Sequence, residues 1–447
     1  MFTSRALTRN AVRSGAAVAA ASLLLGLSPV VASADPNTDT VPLPQGAGNG
    51  VNTEAPGEVL LPGGGFGFRD SLTIPGTVPA PTQYPDGPTP KPFRPDHIWH
   101  LVPSDVATDH VVYDYVVSPF RDLRANHPEV MEQNLETVVR LNNAARDDVA
   151  AQELALDDDY LDPLVNLSSG LGENLGKHFR DAFEERRLPK TKDLLSGNLA
   201  RAGGVVSSTF FEKYTYDYDR PFVVAPERIE RYYREGQDDP YSETPSYPSG
   251  HTNKAAWTAT LLAIMLPEVA PQIQARASEA GQSRLVLGVH YPLDVMGGRM
   301  MGNQAAADRW ADPQFRPLIQ HAMLELRREL EFRCGDTIAN CVAKDNQYLS
   351  NEAAVQQYTE RMTYDFQQIG ATDVPVVVPA RYETLLETRF PQLNAEQRKQ
   401  ILEQTAIASG YPLDRNDGQG QHVRMNLARA LAAEVRINAA GSVTVVN

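Results

Sequence analysis

Residues 248–307 read PSGHTNKAAWTATLLAIMLPEVAPQIQARASEAGQSRLVLGVHYPLDVMGGRMMGNQAAA, and this stretch decides the fold. It divides into three helical runs, Thr252 to Leu266, Pro271 to Gly288 and Pro292 to Ala307. Proline opens the last two, at a position whose N–H has no partner within a helix anyway. Ser249 stands where an N-cap belongs, and Gly250 lets backbone N–H groups approach an anion at the helix start. Outward from this centre the same period recurs. Glu129 to Arg146 carries Met131, Leu135, Val138, Val139 and Leu141 on one side. Leu171 to Arg187, Thr191 to Phe211 (with Leu194, Leu195, Leu199 and Val205-Val206) and Pro313 to Phe332 complete the series. No run of alternating strands interrupts them, so the fold expected is all-α, a helical bundle.

The flanks read differently. Arg5, Arg9 and Arg13 precede an apolar run from Ala16 to Leu27, and Ala32-Ser33-Ala34 offers a small-x-small cleavage site. That layout predicts a signal peptide over 1–34, cleaved near Ala34, and a secreted or periplasmic protein. Residues 35–95 are dense in proline and glycine and read as an arm or linker; 96–335 form the helical domain, and 336–447 a mostly helical C-terminal extension. In the extension, Asn394 to Gln397 spells a capping box for a helix to about Ala408. Met425 to Val435 reads as helix and Gly441 to Asn447 as a short strand. Cys334 and Cys341, the only two cysteines, are expected to close a small disulfide loop in an exported chain.

Composition excludes several classes. Hydrophobic residues at 42% and charged residues at 22% exclude wholesale disorder across the 447 residues. The net charge is -15, falling to about -18 without the three leader arginines, the wrong sign for a nucleic-acid binder. The longest apolar run after the leader, Ala255 to Leu266, is far short of the ~20 residues of a membrane span, so no stable membrane insertion is expected. The sequence assigns no oligomeric state.

Three segments carry chemistry. Lys213 and Arg220-Pro221 stand seven positions apart; Pro248-Ser249-Gly250-His251 follows; then come Ser283-Arg284, His290 and Asp294. Lys213, Arg220 and Arg284 supply fixed positive charge for the equatorial oxygens of a phosphoryl group, with Ser249 and Gly250 completing the anion cradle. His290 and Asp294 are an i,i+4 pair, which lets a carboxylate hold one ring nitrogen while the other attacks. His251 remains as a general acid for the leaving group. Asp96, His97 and His100 lack a third metal-ligand motif; His110, His127, His178, His321 and His422 read as structural. Asn166-Leu167-Ser168 fits a glycosylation sequon.

This three-part pattern resembles the signature of the superfamily that joins bacterial non-specific acid phosphatases, type 2 phosphatidic acid phosphatases and vanadium haloperoxidases. Every signature position is filled, over roughly Leu171 to Gln304 with weaker likeness back to about His97. The surroundings of Gly281 to Arg284 and Gly288 to His290 look most like the soluble class A acid phosphatases. The resemblance implies a helical bundle with the site at one end, no metal or other cofactor, a phosphohistidine on His290, and a small phosphate monoester as substrate. The alternatives are a vanadium haloperoxidase holding vanadate on the same residues, a binding protein on a degenerate scaffold, and a lipid phosphatase.

Overall fold

The computed structural model describes residues 79–94, 113–196, 208–237 and 239–446. The leader, most of the proline-rich arm, and His97, His100 and His110 lie outside these residues.

The helices of the first part include α1 (Pro128–Ala144), α2 (Val149–Tyr160), α3 (Glu173–Glu184) and α4 (Pro189–Leu195). Next are α5 (Phe210–Tyr216), α6 (Gly250–Met265), α7 (Ala270–Val286), α8 (Pro292–Ala311) and α9 (Arg316–Cys334). The C-terminal part adds α10 (Asn351–Thr363), α11 (Ala395–Thr405) and α12 (Leu427–Ala432). Among the described residues the only sheet is an antiparallel pair, β1 (Val435–Ile437) on β2 (Val443–Val445). The all-α expectation is borne out.

The quoted stretch forms the centre. Helix α6 packs most extensively on α8 and then on α7. Every residue of α8 from Pro292 to Trp310 is buried, so it needs no amphipathic stripe; small residues replace one. A Cβ on Gly298 would lie 2.5 Å from the Ser249 carbonyl oxygen, and one on Gly302 would lie 2.5 Å from that of Asn253. Those two glycines let the α8 backbone touch the start of α6, and the Ser249 N–H then donates to the Asp294 carbonyl at 2.9 Å. The candidate anion cradle and the His–Asp pair are thereby fixed to each other through backbone.

Two expectations need correction. The helix expected over Thr191 to Phe211 is not continuous. A helix ends at Leu195, where Ser196 turns to extended backbone and its hydroxyl donates to Asp162 at 3.0 Å; residues 197–207, with Leu199 and Val205-Val206, lie outside the described residues, and a separate helix begins at Phe210. Serine competes with the helix for its own hydrogen bonds. The stretch after residue 335 is less helical than expected. Its capping box at Asn394 and Gln397 forms and its helix ends at Thr405, but 364–381 and 406–421 hold no α-helix. Pro375 and Pro379 flank a run of valines with no helical period. This part shares the bundle's core through Phe366, Tyr382, Leu386, Ile401 and Leu427, and α10 and α12 both pack on α7. Cys334 and Cys341 are disulfide-bonded, Cα to Cα 6.3 Å, tying the end of α9 to the next short helix.

The described end of the arm, 79–94, has neither helix nor strand. It is pinned by the buried Arg187, whose guanidinium donates to the Thr82 and Pro88 carbonyls at 2.7 Å each and pairs with Glu329 at 2.6 Å.

Candidate active site

The three segments, distant in sequence, meet at the start of α6. Arg220, just before a proline-led turn, is locked by its surroundings. Its Nε donates to the Thr244 carbonyl at 2.8 Å, its Nη2 to the Thr244 hydroxyl at 3.1 Å, and its Nη1 to the Val289 carbonyl at 2.8 Å. That same Nη1 lies 3.4 Å from His290 Nε2. Lys213 on α5 is buried, and its ammonium donates to the carbonyls of Pro245 at 2.5 Å and Ser246 at 3.1 Å. Ser249 caps α6, its hydroxyl oxygen accepting from the Thr252 N–H at 3.3 Å and the Thr252 hydroxyl at 3.0 Å. Gly250 opens the helix. Arg284, near the end of α7, is 1% exposed, and its Nε–H has no hydrogen-bond partner among the described residues.

His290 and Asp294 form the expected pair. His290 Nδ1 is 3.0 Å from Asp294 Oδ2, and both side chains are essentially fully buried. Asp294 sits in the first turn of α8, where its Oδ2 also accepts from the Tyr291 N–H at 2.9 Å and from the Ser246 hydroxyl. With Nδ1 held by the carboxylate, Nε2 is the nitrogen that faces the guanidinium of Arg220.

Charge is concentrated here. Burial, and then Arg220, hold the Lys213 ammonium well below its ordinary range; burial and then Arg284 push Arg220 down to about 10. His290 is held well below its usual value by burial, then Arg220, Lys213 and Arg284, so its ring is neutral and nucleophilic. Burial pushes Asp294 up to about 6, against Ser246, the Tyr291 N–H and the two cations. Cations that depress one another mark a site whose chemistry calls for an anion. Among the described residues no three His, Cys, Asp or Glu side chains gather as a metal ion would need.

The sequence missed two participants. Asp159, at the end of α2, reaches Arg284 Nη1 at 2.5 Å and lies 3.5 Å from His251 Nε2 through the same oxygen. It therefore touches both a candidate anion ligand and the candidate acid. The signal available was the run Asp157-Asp158-Asp159 on a half-buried helix, which is costly unless the carboxylates have partners. Asp158 has one in Arg276 at 2.5 Å, and it also accepts the Ser283 hydroxyl at 2.7 Å. Ser246, the second, carried no signal at all. His251 itself is about a quarter exposed (26%), and burial, followed by Arg284, depresses its pKa to about 3, with Asp159 opposing.

His422, read as structural, is buried with Nε2 3.0 Å from Gln304 Oε1, away from the cluster. Asn166 Nδ2 donates to the Asp157 carbonyl at 2.8 Å.

Comparisons with known proteins point the same way. Residues 194–312, which enclose all three motifs from Lys213 to Asp294, match the family model described as PAP2 superfamily. The chain is 34% identical over 162 residues to a non-specific acid phosphatase of Salmonella typhi, an overlap of 35% of this chain and 61% of that enzyme. It is 29% identical over 191 residues to one of Providencia stuartii, covering 42% of this chain and 70% of the relative. An acid phosphatase of Zymomonas mobilis subsp. mobilis matches at 33% over 116 residues, 26% of this chain and 43% of the relative. The chain thus spans less than two thirds of the Salmonella enzyme's length. The resemblance carried by the motifs is borne out.

Proposed function

We propose, from the match of residues 194–312 to the PAP2 superfamily model and from the site they enclose, that the protein is an acid phosphatase that moves the phosphoryl group of a small monoester onto His290 and then onto water. The observation that carries this is the buried His290 Nε2, held by Asp294 through its other nitrogen and set 3.4 Å from Arg220 Nη1.

Nε2 attacks phosphorus while the ester P–O bond breaks and His251 gives its proton to the leaving oxygen. Lys213, Arg220, Arg284 and the N–H groups at the start of α6 hold the equatorial oxygens, and Asp294 keeps Nδ1–H oriented as charge builds on the ring. Water then attacks the phosphohistidine, His251 takes its proton, the P–N bond breaks, and inorganic phosphate leaves. Three cationic side chains stand where other phosphatases use metal ions, so hydrolysis of p-nitrophenyl phosphate is expected to survive EDTA. Vanadate is expected to inhibit competitively, because it adopts the five-coordinate geometry of the transition state. Activity lost to EDTA and restored by zinc or magnesium would sink the metal-free reading. Export to the medium or periplasm belongs to the same proposal and rests on the leader of residues 1–34.

An acidic optimum follows from the two histidines. His290 must be neutral to attack, and since it is held far below its usual value it stays neutral well into the acid range. His251, depressed to about 3, binds no proton of its own near neutrality and takes one from the monoanion of the ester, whose second pKa is ~6. As pH rises through ~6 the ester loses that proton, so kcat/KM falls; as pH drops through the His290 pKa, the nucleophile is lost. kcat reports the enzyme–substrate complex, where that one proton is shared between the ester and His251, and Asp159 raises the His251 affinity for it, so Asp159→Asn is expected to move the alkaline limb of kcat, though not that of kcat/KM, to lower pH. An unmoved limb in that variant contradicts the Asp159–His251 coupling.

A further inference from the structure

Helix α6 has sixteen residues, and only Gly250, His251 and Lys254 are not buried. These three share one face, since positions three and four apart are neighbours on a helix. The sole open stripe of α6 therefore runs from the anion cradle, past the proton donor, to a lysine one turn on.

Lys254 has no role in the phosphoryl-transfer steps above. Its side chain is 25% exposed, and its only carboxylate within 4 Å among the described residues is Asp162, at 3.9 Å, beyond hydrogen-bonding distance. Asp162 Oδ2 is meanwhile engaged by the Ser196 hydroxyl at 3.0 Å. Lys254 is close enough to His251 to be among the charges that depress it. Three helical positions advance ~4.5 Å along the axis, and the lysine stem reaches further still. Whatever lies beyond the oxygen that His251 protonates is therefore within its range.

We propose that Lys254 is a specificity residue that binds an anionic group on the leaving group, so that the preferred substrates are phosphate monoesters of hydroxy acids or other anionic alcohols. This deepens the phosphatase reading and rests on it. A carboxylate two carbons from the ester oxygen replaces the long, half-solvated contact with Asp162 by a charge-assisted hydrogen bond. Lys254 is the one lysine or arginine on the open stripe of α6, which is why removing it has a selective effect.

The test is a matched pair of esters, glycerol 3-phosphate and 3-phosphoglycerate, which differ by a hydroxymethyl against a carboxylate. The wild-type kcat/KM is expected to favour 3-phosphoglycerate. Lys254→Met is expected to lower the ratio of the two kcat/KM values about tenfold, the scale of one hydrogen bond to a charged group, and Lys254→Arg to keep it. Taking the ratio at one pH removes any effect of the substitution on His251. A wild-type preference for the uncharged ester or for ethanolamine phosphate, or an equal loss on both esters in Lys254→Met, overturns the assignment. Failure of the wild type to hydrolyse any of these esters overturns instead the phosphatase reading beneath it.

Discussion

Replacing His290 by alanine is expected to abolish turnover of every phosphate ester, by a factor on the order of 10⁵ or more. Of the side chains in the cluster, His290 is the one with a ring nitrogen held by a buried carboxylate and the other facing Arg220. Lys213 and the two arginines are donors, and Ser249 is engaged as the cap of α6. The loss is expected to be equal for good and poor leaving groups, because it removes the attacking atom rather than the help given to departure. The substitution strips Asp294 of a partner in a fully buried position, so a lower melting temperature will accompany it. His290→Asn, which keeps a polar group near Asp294, separates the two effects: it is expected to regain stability and remain inactive. Residual turnover above about 1% of wild type in a folded His290→Ala protein removes His290 from the role of nucleophile.

Replacing His251 by alanine has the second largest expected effect, and its size depends on the substrate. An alkyl phosphate needs its leaving oxygen protonated in the transition state, and a positioned acid contributes roughly 10²–10⁴-fold to such a step. A p-nitrophenolate leaves with little assistance, so formation of the intermediate from p-nitrophenyl phosphate is expected to be nearly unaffected. Hydrolysis of that intermediate still lacks a base for water. His251→Ala is therefore expected to show a burst of one nitrophenolate per site followed by slow turnover. Equal proportional loss on both esters, with no burst, assigns proton transfer to some other group.

How much of this was legible depended on whether the information was local. The runs Thr252 to Leu266, Pro271 to Gly288 and Pro292 to Ala307 were readable because cap, proline and apolar run all lie within one segment, and the observed α6, α7 and α8 differ by a few residues at their ends. Lys213, Arg220, Ser249, Arg284, His290 and Asp294 were readable because their types and order form a pattern. Asp159 was not, since its value lies in meeting Arg284, 125 positions away, and no spacing in the sequence announces that contact. Ser196 broke a helix that apolar periodicity supported, because a side-chain hydrogen bond to Asp162 outweighs the few tenths of a kcal/mol per residue that propensity offers. Gly298 and Gly302 looked like weak points in a helix; they are where two backbones meet.

The most direct test of the account is to find the covalent intermediate. His251→Ala protein is mixed with ³²P-labelled p-nitrophenyl phosphate and quenched rapidly in alkaline denaturant, which preserves a P–N bond. Trypsin then releases Leu285 to Arg299, a peptide in which His290 is the only histidine. The expected result is near-stoichiometric label on that peptide, as phosphohistidine, and none when His290→Ala is combined with His251→Ala. Label on any other peptide, or turnover with no labelled protein at any quench time, contradicts phosphoryl transfer through His290.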